Sequence, residues 1–217
     1  MNERIKKLLR PFISPTIRQV LWDVLPKFYL VNTYILSNPE YSIQLPEIDD
    51  KYKITDSVHE IIKFQKFEMH NNSKDNTTYS ELRLKTGAWI PLSVMDITNG
   101  EIAYLAWIII KSIPYIEDFG IYLHEGDFLL KDGVCLPQYR HQGLHTRMEL
   151  ERINYCVRRN ANNIYIQIHD SNKKGVLSVL NNGYKLCKKN LVIQWPIFGV
   201  FRSVKGFLKN PLRKVVI

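Results

Sequence analysis

Pro137-Gln-Tyr-Arg140-His-Gln-Gly143-Leu-His145-Thr-Arg-Met148 is the stretch around which the rest of the chain is arranged. An apolar, strand-like run precedes it, Asp127-Phe-Leu-Leu-Lys-Asp-Gly-Val-Cys-Leu136. A helical pattern runs on from Leu144 to about Asn160. Strand, tight basic turn with one glycine, helix: this order points backbone N–H groups and the positive end of a helix at one spot. Such a spot binds phosphate oxygens. Gly143 lets the backbone approach the anion closely, and Arg140 adds a fixed charge with several donors.

The segment Arg140-His-Gln-Gly143-Leu-His145, in the frame Pro137-x-Tyr139-Arg140-x-x-Gly143, resembles the pyrophosphate loop of the GNAT acyltransferase superfamily. Its pattern is Arg or Gln, two residues, Gly, one residue, Gly or Ala. A second matching segment comes after it in the right order: Ile164-Tyr-Ile-Gln-Ile168 alternates like a strand, then come Asn172, a short helix and Gly183-Tyr184. The chain departs from the pattern at His145, where a small residue is usual. The resemblance covers Gly126 to about Trp195. It implies an α/β (α+β) fold with a mixed, mostly antiparallel central sheet flanked by helices. It also implies acetyl-CoA or another acyl-CoA as co-substrate, with no metal.

The composition agrees with a folded domain of ordinary size. The chain has 217 residues, 45% of them hydrophobic and 12% aromatic, enough to bury a sizeable core. Three cysteines (Cys135, Cys156, Cys187) show no paired spacing, which suits a reducing cytoplasm better than a disulfide framework. The basic N-terminus has no uninterrupted apolar core of a signal peptide. The longest apolar run, Ile102 to Ile110, is half of the roughly 20 residues that cross a bilayer and reads as a buried strand.

The net charge of +9 sits at the two ends: residues 1–32 carry +4 and residues 191–217 carry +5. Such asymmetry bears on partners rather than fold. The chain divides into three segments: a basic amphipathic extension over 1–45, a GNAT-like domain over 46–195, and a basic amphipathic tail over 196–217. In the first, Pro11 and Pro15 separate a short helix from a second one ending near Pro26. Residues 31–45 read as extended or irregular. Asp56-Ser57 could cap a helix with Ile61, Ile62 and Phe64 on its apolar face. His70 to Thr78 reads as a polar loop. Strand candidates lie at Trp89–Met95, Glu101–Lys111, Gly120–Leu123 and, late in the chain, Tyr184–Lys188 and Leu191–Trp195. Asn99-Gly100 marks a hairpin turn.

The resemblance also implies site residues. Backbone groups of Val134, Cys135 and Leu136 would pair with the pantetheine arm. The N–H groups of Gln142, Gly143, Leu144 and His145 would meet the pyrophosphate beside Arg140, and Asn172 marks the second segment. Acyl transfer to an amine needs a base, and often an acid for the leaving thiolate. Asp132, eight residues before Arg140, is the first choice of base, though Lys131-Asp132-Gly133 is equally a turn or bulge signal. Asp127 and Glu125 come behind it. His169, at the end of its strand, is a second catalytic candidate, and a structural histidine is the plainer reading. The Tyr that usually serves as acid falls at Val179 here, so that group is missing. His141 and His145 stand four apart, but they straddle a glycine with no acidic neighbour, so no metal site is expected. Cys135, among apolar neighbours, reads as packing.

At the C-terminal end Ile197, Phe201, Val204 and Leu208 fall on one helical face, with Arg202, Lys205 and Lys209 elsewhere. Two readings stand: a helix lying on an anionic membrane surface, or a tail packed on the domain with solvated charges. No nucleic-acid motif is present, and nucleic acid is not an expected partner. The expected function is N-acyl transfer, most simply N-acetyl transfer, to a primary amine in a ternary complex. The acceptor would be a small molecule or a lipid-linked amine, with an amino sugar or a lipid-linked saccharide precursor at the membrane face fitting the basic ends. The expected place is the cytoplasm or, peripherally, the inner face of the membrane. The alternative is a GNAT-fold module that binds acyl-CoA or a membrane without turnover.

Overall fold

The computed structural model describes residues 27–39, 44–56, 83–111, 121–195, 199–204 and 207–209. They divide into two compact units, each taken by itself. One holds the residues described within 35–113 and 123–166; the other holds those within 27–34, 121–122 and 167–209. The expected N-terminal helices, the helix at Ile61–Phe64 and the loop at His70–Thr78 lie outside the described residues.

The first unit is built on β2 (Tyr52–Thr55), β3 (Trp89–Asp96), β4 (Glu101–Ile109), β5 (Asp127–Cys135) and the start of β6 (Asn163–His169), hydrogen-bonded in that order. The first three pairings are antiparallel and β5–β6 is parallel. A parallel pairing needs a long crossover, and α1 (Leu144–Val157) provides it. β4 is apolar at nearly every position and fully buried from Ile102 to Ile109, as a strand covered on both faces must be. The β3–β4 hairpin turns at Asn99-Gly100, as its sequence predicts: Gly100 has φ 70° and its N–H donates to the Asp96 carbonyl at 2.8 Å. The core beneath the loop gathers Tyr52, Leu92, Val94, Tyr104, Tyr139, Leu144 and Met148.

β5 carries one irregularity. Leu105 registers with Val134 but Trp107 with Lys131, so Asp132 and Gly133 together stand opposite Ala106. This is a β-bulge, and Asp132 has φ 46° in it. The Lys131-Asp132-Gly133 signal is thus a bulge, one of the local structures it allowed.

The second unit contains β1 (Lys27–Ser37, up to Tyr34), the end of β6, α2 (Lys173–Asn181), β7 (Lys185–Trp195), β8 (Gly199–Val204) and β9 (Phe207–Lys209). Its sheet order is β1-β7-β8-β9, with β7–β8 and β8–β9 antiparallel. Residues 27–37 are a strand, in line with the extended reading of 31–45 and starting four residues earlier. Two expectations are corrected. Lys185–Trp195 is one long strand rather than two. The described part of the tail is not helical: Gly199–Val204 and Phe207–Lys209 pair as strands, with Arg202 opposite Lys209. Residues 199–209 are rich in Val and Phe, which favour strands, and pairing along β7 outweighs the helical spacing. The strand expected at Gly120–Leu123 is also absent: residues 121–124 are irregular. Among the described residues no helix is long and apolar enough to cross a membrane.

Candidate acyl-CoA site

The loop after β5 is assembled from the core outward. Pro137–Tyr139 forms one 3-10 turn, and Tyr139 turns its ring into the core at 6% exposure. Its hydroxyl donates to Glu101 Oε2 (3.0 Å) and accepts from Asn99 Nδ2 (2.9 Å). Gln142 is held from the side: Tyr52 Oη donates to its Oε1 at 2.5 Å, and its Nε2 donates to the Gln138 carbonyl at 3.3 Å. Leu144 plugs the core at 1% exposure. These anchors fix the backbone between them, where His141 (φ 64°) and Gly143 (φ 75°) both take the left-handed conformation. Such alternation turns successive N–H groups to one side.

Gly143 is the N-cap of α1, and among the described residues no side chain caps that end; the first turn carries no acidic residue. The first N–H groups of a helix have no partner within it, so this end presents unneutralised positive dipole. Arg140 folds back, its Nε donating to the Cys135 carbonyl at 3.3 Å. A cavity of about 490 Å³ brings together Gly133, Val134 and Cys135 of the bulged strand with Arg140, Gly143, Leu144 and His145 of the loop. Gln142 and Leu136 flank it along the chain. The register of β5 with β6 ends at Leu130–Ile166, so among the described residues Val134 and Cys135 register with β4 alone, with Gly133 in the bulge. Their other edge leaves backbone groups available to an extended ligand arm. A larger cavity, about 590 Å³, is lined by Glu47, Asp49, Asp50 and Glu151 with Arg147; its carboxylates repel phosphates.

The catalytic candidates are placed less simply. Asp132 is in the bulge, next to the cavity, but its carboxylate is ion-paired with Arg83. Arg83 itself stacks over Trp89 at 4.2 Å and Trp107 at 5.1 Å. Asp127 is buried and structural, accepting from the His124 N–H (3.1 Å) and Asn163 Nδ2 (2.8 Å). Cys135 is half-buried, and burial pushes its thiol up, the direction of an unreactive cysteine. His169 and Asn172 belong to the other unit. There the His169 ring stacks on Tyr29 with centroids 4.5 Å apart. Asn172 caps α2, its Oδ1 accepting from the Gly175 N–H at 3.0 Å. Val179 is buried at 1% exposure.

Sequence reasoning missed what lies beneath His145. The histidine Nδ1 is 2.9 Å from the hydroxyl of Tyr104 on β4, and its Nε2 is 3.9 Å from Glu149 Oε2. Glu149 and Arg152 are each 3% exposed and 3.6 Å apart. The i, i+4 and i+7 spacing from His145 could have flagged a polar stripe on α1. The partner Tyr104 is non-local and left no such signal.

No family model matches the chain, and no curated protein matches it. Solved structures do. A GCN5-related N-acetyltransferase from Sphaerobacter thermophilus matches over 83% of this chain and 55% of its own, at TM-score 0.55 and 10% identity. A tandem GNAT protein from the clavulanic acid biosynthesis pathway matches over 91% and 60%, at TM-score 0.57 and 10% identity. A GCN5-related glucosamine N-acetyltransferase region in a fungal multi-domain GH3 β-N-acetylglucosaminidase matches over 83% and 23%, at TM-score 0.58 and 13% identity. The chain thus spans less than two thirds of each. At these identities the likeness is one of architecture, and it is consistent across proteins of different make-up: the fold of this chain is that of the GNAT N-acetyltransferases.

Proposed function

We propose that the chain is an acyl-CoA-dependent N-acyltransferase, most simply an N-acetyltransferase, acting on a primary amine. The observation that carries this reading is the loop: a helix N-terminus with no side-chain cap, two left-handed residues and Arg140 open onto one cavity with Gly133–Cys135, which lie beyond the end of the β5–β6 register. A diphosphate fits the first part and an extended amide-containing arm the second, by backbone pairing like that of an added strand. The backbone N–H groups of Gln142, Gly143, Leu144 and His145, beside Arg140, would hold the diphosphate, and backbone groups of Val134, Cys135 and Leu136 the arm. Asn172 shapes the second segment by capping α2. Binding both substrates side by side supplies proximity for direct attack, and N–H groups at the bulge polarise the thioester carbonyl.

For the acceptor we put an amino sugar first. The glucosamine N-acetyltransferase region with the same fold supports the class, and acidic groups that could meet a cationic amine line the cavity at Glu47–Asp50. A lipid-linked acceptor at an anionic membrane face rests only on the +5 charge of residues 191–217, since residues 199–204 are strand. Mixing the protein with acetyl-CoA and a panel of amino sugars, polyamines and lysine peptides, and following thiol release, tests the reading. Amine-dependent release that disappears in an Arg140→Glu, Gly143→Val variant is the expected result. No release with any acceptor or acyl length would overturn the transferase reading. Acyl-CoA binding without release would favour the second reading, a non-catalytic module, which Val179 in place of an acid group supports.

A further inference from the structure

His145 stands where the resembling loops carry a small residue, and here it is built into a buried polar cluster. Its ring lies in the acyl-CoA cavity with the side chain 57% exposed, while the groups behind it are sealed: Tyr104 is 0% exposed and Glu149 and Arg152 are 3% exposed. The Tyr104 hydroxyl meets His145 Nδ1 at 2.9 Å. It also lies where a side chain at position 133 would be, 2.3 Å from an ideal Cβ there, so it reaches to the bulge itself. Glu149 Oε2 stands 3.9 Å from Nε2, close enough to stabilise a charge on the ring but outside hydrogen-bond range. The carboxylate is balanced in turn by Arg152, whose Nη1 donates to the Lys131 carbonyl of the bulged strand at 3.3 Å. Among the described residues Glu149 Oε1 and Arg152 Nε have no hydrogen-bond partner, an expensive arrangement for two buried ions.

We propose that His145 is the general base of the acyl transfer, with Tyr104 and Glu149 as its positioning residues. This rests on reading the loop as the acyl-CoA site. The step uses the tautomer in which Nδ1–H donates to the Tyr104 oxygen and Nε2 carries the lone pair. Nε2 takes a proton from the acceptor's ammonium, directly or through one water. The free amine then attacks the thioester carbonyl carbon, forming the C–N bond. The intermediate collapses with cleavage of C–S, the electron pair leaving on sulfur. The proton still on the new amide nitrogen passes to the thiolate, giving amide and CoA thiol, and imidazolium returns its proton to water. Glu149 stabilises the imidazolium while it lasts. The groups around the ring are Tyr104 from β4 and Glu149 and Arg152 from α1, while Cys135 from β5 and Arg140 and His141 from the loop line the same cavity. Burial holds the imidazole below its ordinary value, with Glu149 opposing and Arg152 adding to that shift. The resting ring is therefore neutral near pH 7, as a base must be. Neither Asp132, engaged by Arg83, nor His169, stacked on Tyr29, is needed for this step.

The test is a pH profile of kcat and kcat/KM for the native enzyme, His145→Asn and Tyr104→Phe, with acetyl-CoA binding followed separately by thermal shift. Removing a general base costs typically about 10²–10⁴-fold in rate. His145→Asn should lose kcat by that order, keep the acetyl-CoA shift, and lose the acid limb of the profile; added imidazole should restore part of the rate in His145→Ala. Tyr104→Phe should move the limb and lose less. A His145→Asn enzyme within twofold of native, or one with its acid limb intact, overturns the proposal while leaving the transferase reading in place. No acetyl-CoA shift in the native protein removes that reading and this proposal together. Should His145→Asn fail to fold, ¹⁵N spectra of the native protein decide: a proton on Nδ1 at pH 7.5 supports the assignment, and a proton on Nε2 alone overturns it.

Discussion

Gly133→Ala tests the packing on which the site depends. Gly133 carries no left-handed φ, so the substitution is not a backbone problem; it is a collision. The added methyl would lie 2.3 Å from the Tyr104 hydroxyl, 3.3 Å from Tyr104 Cζ and 3.6 Å from Arg152 Nη2. Ordinary contact begins near 3.4 Å, so the overlap with the oxygen is about 1 Å deep. Tyr104 is fully buried on β4, between β3 and β5. Overpacking of this kind costs about 1–3 kcal/mol. For a chain of this size that lowers the melting midpoint by about 2–4 °C per kcal/mol, about 2–12 °C in all. The Tyr104→Phe change removes the clashing atom and leaves only the 3.3 Å contact with Cζ, which a few tenths of an ångström relieve. On its own it costs about 1 kcal/mol through the lost hydrogen bond to His145. The double variant should therefore be more stable than Gly133→Ala alone, a coupling of opposite sign to the single effects. Urea and thermal unfolding of the four proteins give the answer. A Gly133→Ala protein as stable as native, or a double variant destabilised by the sum of the singles, would refute this placement of Tyr104 under the bulge.

The same geometry sets other outcomes. Asn172→Ala removes the side-chain cap of α2 and should cost about 1 kcal/mol, read in urea unfolding, with Asn172→Asp retaining most of it. Met148→Ala, at 0% exposure beneath the loop, should cost about 2–5 kcal/mol and weaken acetyl-CoA binding as the helix start loosens. In thiol titration, exposed Cys187 should react at once, whereas buried Cys156, its thiol pushed up to about 12, should react only on unfolding. Hydrogen bonds from Asn32 and Lys173 hold Asp170 below its usual carboxylate value. The stabilisation is therefore present above the unfolded value near 3.8 and fades as pH falls through the lower folded value. Asp170→Asn should destabilise at pH 6 and make little difference at pH 2.5, measured by thermal unfolding at both.

Local patterns of the fold were legible in the sequence, and non-local ones were not. The run Ile102–Ile109, the alternation of Ile164, Ile166 and Ile168, the Asn99-Gly100 turn and the start of α1 at Gly143 each carry their signal within a few residues. The long strand through Lys185–Trp195 did not, because Lys188-Lys189-Asn190 breaks its apolar run, and the tail's helical spacing competed with its strand propensity. The donor loop was legible for the same reason: Arg140, Gly143 and the helix start are contiguous. The cluster under His145 was hidden because Tyr104 lies 41 residues away on another strand. The sequence marks Asp132 by its place on the strand before the loop, eight residues ahead of Arg140; only the fold shows that Arg83, 49 residues earlier, holds its carboxylate.

The central claim is that the turn from Arg140 to His145 receives the diphosphate of an acyl-CoA. Its most direct measurement is the melting midpoint with and without acetyl-CoA, for the native protein and for Arg140→Glu, Gly143→Val. A ligand bound only by the folded state at 100 times its Kd stabilises by about 2.7 kcal/mol, about 5–11 °C at this chain length. The account predicts a rise of that order in the native protein, absent in the variant because a carboxylate replaces the guanidinium and valine cannot hold φ 75° without strain. No rise with acetyl-CoA or longer acyl-CoAs, or an equal rise in both proteins, would contradict it.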